Sequence, residues 1–327
     1  MKIVYMGTPD FAVGPLEAVL AAGHQVTLVV TQPDKQKGRG KEVSYTPVKE
    51  CAIKHNIPVF QPVKIKEQEA VEILRKQEAD IFIVAAFGQI LSEELLNLPK
   101  YGAVNIHASL LPKYRGAAPI QWVILDGEAE TGVTIMQMDK GLDTGDMLLK
   151  TVVPIDKEET GETLHDKLAV AGSKLIVEAL TAIEAGTIEP EKQKDEESCY
   201  ARMLTKSLGQ INWQEDAEKI ERLIRGLNSW PSAYTKYGNK TLKIWKGQVI
   251  SEQDEQVLEK IKGQGMEPEN IKPGTVCFVS KEEIYVKTGK DLLNIVELQL
   301  EGKKRMTVKE FLLGRQIKVG TLLSAET

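Results

Sequence analysis

Cysteine, histidine and aromatic residues are scarce in this 327-residue chain, and the scarcity narrows its chemistry. The three cysteines, Cys51, Cys199 and Cys277, lie far apart, form no CxxC pair and are odd in number. A disulfide framework does not fit them, and a reducing, cytoplasmic compartment is expected. The four histidines, His24, His55, His107 and His165, are scattered, with no HExxH or paired-cysteine spacing. No metal is expected. The first turn, Gly7-Thr8-Pro9-Asp10-Phe11, lacks the GxGxxG spacing of a dinucleotide site, and no Walker A sequence follows. The opening residues meet Pro9 and Asp10 too early for a secretory h-region, so no leader is expected. No apolar run approaches the roughly 20 residues of a spanning helix, and no membrane partner is expected.

What is present is the balance of a globular protein, 42% hydrophobic and 27% charged, in a chain long enough for two cores. The net charge of −5 is uneven. Residues 1–190 carry −7 and residues 191–327 carry +2. Two blocks, 200–250 and 302–320, are each +5, with an acidic stretch between them. Local basic blocks of this kind suit a polyanion, and they equally suit solvated faces.

Strand-like and helix-like segments alternate through the first half. Strands are expected at 2–6, 25–31, 57–60, 80–86 and 103–107, with helical periodicity at 11–20, 48–54 and 67–77. Strand-like residues 131–138 and 146–154 follow as a pair, then a long helix over 160–186. The order predicts a doubly wound, Rossmann-like α/β domain over residues 1–188. Residues 189–206 are polar and read as a linker, most clearly at 189–198. A helix at 217–227 and short strands at 240–245, 274–278, 283–287 and 292–300 then predict a C-terminal OB-like β-barrel over 207–327.

The densest chemical signal is Asn105-Ile106-His107-Ala108-Ser109-Leu110-Leu111-Pro112-Lys113-Tyr114-Arg115-Gly116. Asn105 and His107 are two apart on a strand and leave the same face, at the carboxyl end where open α/β sheets place ligands. An amide stabilises an oxyanion and an imidazole exchanges a proton, so the pair suits acyl chemistry. A polar strand end that only satisfies its own hydrogen bonds is the other reading. The second signal is Gly141-Leu142-Asp143-Thr144-Gly145-Asp146. Asp143 is placed either to orient His107 or to close a β-turn on its own backbone.

Together these two motifs, in this order and spacing, resemble the 10-formyltetrahydrofolate-dependent formyltransferase family. The resemblance implies a catalytic trio of Asn105, His107 and Asp143. It implies a folate cosubstrate whose pterin lies against the backbone of Phe87, Gly88, Gln89, Ile90 and Leu91, near the 139–143 turn and the segment Ser109, Leu110, Leu111 and Pro112. Three features are similar to the members that act on methionyl initiator tRNA. They are the opening Met6-Gly7-Thr8-Pro9-Asp10-Phe11-Ala12, the basic segment 33–41, and a C-terminal continuation containing Asn228-Ser229-Trp230-Pro231-Ser232-Ala233-Tyr234. The loop so implied to meet tRNA carries Lys35, Lys37, Arg39 and Lys41, and the charge count adds Lys303, Lys304 and Arg305 of the second basic block as candidate tRNA contacts. Trp245 is expected in the barrel core. Direct formyl transfer by a monomer is the expected activity. The alternatives are a formyltransferase for a sugar nucleotide or other small amine, and an RNA-binding relative without catalysis.

Overall fold

The computed structural model describes residues 1–37 and 42–324, and the chain divides into two compact units. The first comprises Met1–Pro119, Ala129–Ile155 and Thr163–Arg202; the second comprises Ile120–Glu128, Asp156–Glu162 and Met203–Thr327.

The first unit is built on a seven-stranded sheet. Its strands are β1 (Lys2–Gly7), β2 (Gln25–Val30), β3 (Val59–Phe60), β4 (Ile81–Ala85), β5 (Ala103–His107), β6 (Glu130–Gln137) and β7 (Met147–Pro154). They lie in the order β7-β6-β5-β4-β1-β2-β3. The pairs from β3 to β5 are parallel, and β6 and β7 add antiparallel at one edge. The parallel strands read as unbroken apolar runs because both faces are covered. Val4 and Met6 of β1 join one core with Phe82 and Val84 of β4. Helices α3 (Gln68–Arg75) and α4 (Glu93–Leu96) complete that core with Val71, Leu74 and Leu95. Tyr5, on the alternate face of β1, donates its hydroxyl to the Ala12 carbonyl at 2.6 Å, just before α1 (Val13–Ala21). Helix α2 (Pro47–Lys54) starts on a Thr46 N-cap. In chain order α5 (Pro119–Asp126), whose residues from Ile120 on belong to the second unit, falls between β5 and β6, and the long α6 (Gly161–Ala185) follows β7. Gly172 of α6 lies against Ile106 of β5 and Val133 of β6.

The chain winds outward from β1 to β3, then returns to β4 on the other side of β1. Such a reversal opens a crevice at the carboxyl ends of the strands. The polar segment after α6 stays on this unit. Glu191 and Met147 exchange backbone hydrogen bonds of 2.8 Å, and residues 200–201 pair in parallel with 115–116.

The second unit holds α7 (Ala217–Gly226) and a six-stranded antiparallel sheet. Its strands are β8 (Ala233–Tyr237), β9 (Lys240–Ile250), β10 (Val276–Val279), β11 (Ile284–Lys287), β12 (Leu292–Leu300) and β13 (Met306–Thr307). The order is β8-β9-β12-β11-β10, with β13 on β12. Segment 320–324 reaches both ends of that path: Ser324 pairs with Lys236 of β8, and Leu322 pairs with Thr275 beside β10. Helices α8 (Glu255–Lys262) and α9 (Val308–Gly314) were not expected from periodicity, although each starts on a readable cap. Asp254 accepts from Gln256 and Val257 N–H, and Thr307 with Glu310 forms a capping box. Among the described residues no helix is long and apolar enough to cross a membrane.

Candidate active site

Parallel register sets Asn105 of β5 beside Val84 of β4, and antiparallel register sets His107 opposite Thr134 of β6. Asn105 and His107 therefore share a face at the carboxyl end of the sheet. His107 is buried, and its Nε2 lies 2.9 Å from the backbone carbonyl of Tyr114. A carbonyl only accepts, so Nε2 carries a hydrogen, and in the neutral ring the lone pair is on Nδ1. Nδ1 lies 3.7 Å from Oδ2 of Asp143, close enough for the carboxylate to stabilise an imidazolium and open enough to admit a proton donor. Among the described residues the Asn105 amide has no hydrogen-bond partner, so its N–H groups remain available to a ligand.

The loop from Ala108 to Gly116 is folded to present that carbonyl. Ser109 is fully buried and donates to the Lys113 carbonyl at 2.7 Å. Thr134 donates to the Ser109 carbonyl at 2.7 Å and accepts from Leu111 N–H at 3.1 Å. Leu111 packs with Met136 and Met147. The side chains of Ser109 and Leu111 are thus committed inward, whereas Leu110, which lies against Gly132, and Pro112 are half-buried.

Asp143 has a φ of 55° and ends a tight turn. Its Oδ2 accepts from Gly116 N–H at 2.8 Å. Gly145 is required for close approach, since a Cβ there would lie 1.8 Å from the Gln137 carbonyl. Leu142 in the same turn is 52% exposed.

The segment Phe87–Leu91 follows β4 directly. Phe87 is buried and its carbonyl accepts from Thr8 at 3.0 Å and Gln32 at 3.1 Å. Gln89 bridges the Pro62 carbonyl and Ile65 N–H, Leu91 is buried, and Gly88 takes a φ of 85°. Ile90 is 80% exposed, an apolar side chain free for a flat apolar ligand.

Lys35 is exposed on a short hairpin, residues 35–37 with 42–44. Its backbone pairs there with Ser44, and Lys37's with Glu42. Arg39 and Lys41 lie outside the described residues. At the hairpin root, Asp34 accepts from Lys49 and from Gln61, the latter at 2.9 Å. Burial pushes the Asp34 carboxyl up, but these hydrogen bonds and the Lys49 charge outweigh it and hold the group below its ordinary value.

In the second unit Lys303 and Lys304 are exposed, with no ion pair among the described residues. Arg305 is paired with Glu297 at 2.6 Å and lies 5.0 Å from the centre of the Trp245 ring. Trp245 corrects the expectation of a core residue. It is half-buried on the outer side of β9, between core-facing Ile244 and half-buried Lys246, because β9 alternates there. Much of the 200–250 charge is spent internally: Arg225 pairs with Glu221 and donates to the Glu159 carbonyl, and Lys246 pairs with Glu158.

Polar groups that sequence reasoning missed also meet here. Gln193 donates to the carbonyls of Asp143 and Gly145, and Cys199 Sγ accepts from Tyr114 N–H at 3.2 Å. Elsewhere, Glu17, Cys51 and His55 form the one mixed group among the described residues whose ligand-type atoms lie within 4.8 Å of one another.

Two family models cover nearly all of this architecture. Residues 1–180 match the formyl transferase model and residues 203–316 match the formyl transferase C-terminal domain. The chain belongs to the formyl transferase family. A methionyl-tRNA formyltransferase of Agathobacter rectalis is 53% identical over 99% of this chain and 100% of its own. Enzymes of the same name from Caldanaerobacter subterraneus subsp. tengcongensis and Clostridioides difficile are 49% and 47% identical, each over 99% of this chain and 100% of their own. Among solved structures, the sugar 3N-formyl transferase WlaRD, crystallised in the presence of dTDP and 5-N-formyl-THF, superposes with a TM-score of 0.63 at 21% identity. That match covers 93% of this chain and 99% of WlaRD. HypX from Aquifex aeolicus, in complex with tetrahydrofolic acid, gives 0.63 at 16% identity over 96% of this chain and 47% of its own. These two likenesses concern the fold.

Proposed function

We propose that this formyltransferase transfers a formyl group from 10-formyltetrahydrofolate to the α-amino group of methionyl initiator tRNA, for translation initiation. The observation that carries the reading is the meeting of an unpartnered Asn105 amide, an Nδ1 lone pair on His107 and the Asp143 carboxylate at one strand end. The near-full-length relatives named for this reaction support the acceptor.

Bound folate supplies a formyl carbon already activated on nitrogen. As the amine nitrogen bonds to that carbon, the carbonyl oxygen gains charge, and the Asn105 amide donates to it. His107 Nδ1 takes the proton the amine sheds, and Asp143 stabilises the resulting imidazolium. The same nitrogen returns the proton to the departing folate nitrogen as the old carbon–nitrogen bond breaks, so the protein ends unchanged. No covalent enzyme intermediate and no metal enter this route. Phe87, Gly88, Gln89, Ile90 and Leu91, with Leu110 and Pro112, form the folate side of the crevice. Exposed Ile90 and Leu142 support that assignment.

On this reading residues 1–188 bind folate, 189–206 connect, and 207–327 bind RNA as an OB-like barrel. Pairing of 322–324 with both ends of the second sheet supports the barrel. Lys35, Lys37, Arg39 and Lys41, with Lys303, Lys304 and Arg305, contact the tRNA backbone, and the chain acts as a cytoplasmic monomer. The test is formylation of charged initiator tRNA against a sugar-nucleotide amine. Turnover confined to the sugar amine would overturn the choice of acceptor.

A further inference from the structure

The segment that leaves the first unit after α6 reads as a polar connector, yet one of its side chains is built into the Asp143 turn. Gln193 Nε2 donates to the Asp143 carbonyl at 2.9 Å and to the Gly145 carbonyl at 2.7 Å. Gln193 Oε1 accepts from Arg115 Nε at 2.9 Å. Arg115 Nη1 continues to Asp195 at 2.9 Å, and its Nη2 is buried without a partner. Next along the chain, Gly116 N–H donates to the Asp143 carboxylate at 2.8 Å. Asp143 is therefore held twice from the 115–116 segment, at its carboxylate directly and at its carbonyl through Gln193.

The turn needs this support. Asp143 occupies left-handed backbone space, φ 55°, which Asp tolerates better than most side chains but which its surroundings must still hold. Two carbonyls of one turn point at a single amide, and a carboxamide is the only uncharged side chain with two donors and an acceptor for Arg115.

We propose that Gln193 is a positioning residue for the reaction: it fixes the Asp143 turn so that the carboxylate faces His107 Nδ1. This rests on the role of Asp143 given under Proposed function. Gln193 touches no reacting atom. It sets the 3.7 Å relationship between Asp143 and His107 from the side away from the carboxylate.

The test compares Gln193→Glu, Gln193→Ala, Asp143→Asn and the Gln193→Ala/Asp143→Asn double variant in the full chain, by single-turnover formylation of charged initiator tRNA and by the steady-state folate KM. Gln193→Glu keeps size and the acceptor for Arg115 but loses both donors. Each Gln193 variant should lose on the order of 10- to 100-fold in rate, the scale of a small misplacement of a catalytic group. The folate KM should change little. The double variant should be no slower than Asp143→Asn alone. Normal rates in both Gln193 variants, a loss that appears in the folate KM instead of the rate, or additive losses in the double variant would each overturn the inference. Near-normal Asp143→Asn would instead overturn the reading of the site. If Gln193→Ala does not fold, Gln193→Glu and its double with Asp143→Asn decide alone.

Discussion

His107 and Tyr114 are joined by a 2.9 Å contact from imidazole Nε2 to backbone carbonyl, and that contact selects the tautomer that leaves Nδ1 facing Asp143. The six-residue loop between them, residues 108–113, therefore bears on the proposed proton transfer. Its fold, held by Ser109, Thr134 and Cys199, sets which imidazole nitrogen meets the carbonyl.

Cys199 offers a direct probe of that loop. It is exposed, whereas Cys51 and Cys277 are buried. Burial, then the nearby Glu17 charge, raises the Cys51 thiol, and burial pushes Cys277 up to about 12. A thiol reagent such as DTNB should label Cys199 quickly in the folded protein and the other two only after unfolding. Labelling should lower turnover several-fold, because the sulfur accepts from Tyr114 N–H. Cys199→Ala should resist the inhibition. Full activity of the labelled protein would separate this loop from the chemistry.

The root of the basic hairpin should be acid-sensitive. Asp34 has its folded pKa below the ordinary 3.8, so its stabilisation is fully present above that value and disappears as pH falls through the depressed one. Asp34→Asn reproduces the loss at neutral pH. Backbone amides of Lys35 and Ser44, paired across the hairpin, should then exchange faster, and the tRNA KM should rise several-fold with the folate KM unchanged. Unaltered exchange would show that the Lys49 and Gln61 contacts do not anchor the hairpin.

Salt dependence separates the basic residues of the second unit. Lys303 and Lys304 are exposed, whereas Arg305 is engaged by Glu297 and Trp245. Lys303→Glu with Lys304→Glu should flatten the plot of log tRNA affinity against log salt by about 0.7–0.9 for each phosphate contact removed. Parallel plots of equal height would place the RNA surface elsewhere.

The α/β core and the shared face of Asn105 and His107 are legible because their signals are local, whereas the approach of Asp143 to His107 is a contact between distant segments that only the family resemblance suggests. Continuous apolar runs mark strands buried on both faces, and the two-residue spacing of Asn105 and His107 survives folding unchanged. Charge counting was less reliable. Lys246 adds to the +5 of the 200–250 block but is paired with Glu158, an acid outside that block and within the same unit. Composition does not tell which side of a strand faces the core: Ile244 pairs with core residue Leu298, and Trp245 falls at the register break that follows. Gln193 was invisible for a different reason. An amide in the polar run 189–198 resembles any solvated side chain until the chain returns to the Asp143 turn, some 50 residues earlier.

The central claim is tested most directly by single-turnover transfer from 10-formyltetrahydrofolate to charged initiator tRNA, followed by mass, for the native chain and for Asn105→Ala, His107→Ala and Asp143→Ala. The account predicts transfer by the native chain and losses of about 100-fold or more in each variant, with folding and folate binding retained. A native chain that binds the tRNA without formylating it, or three variants that react at the native rate, would contradict it.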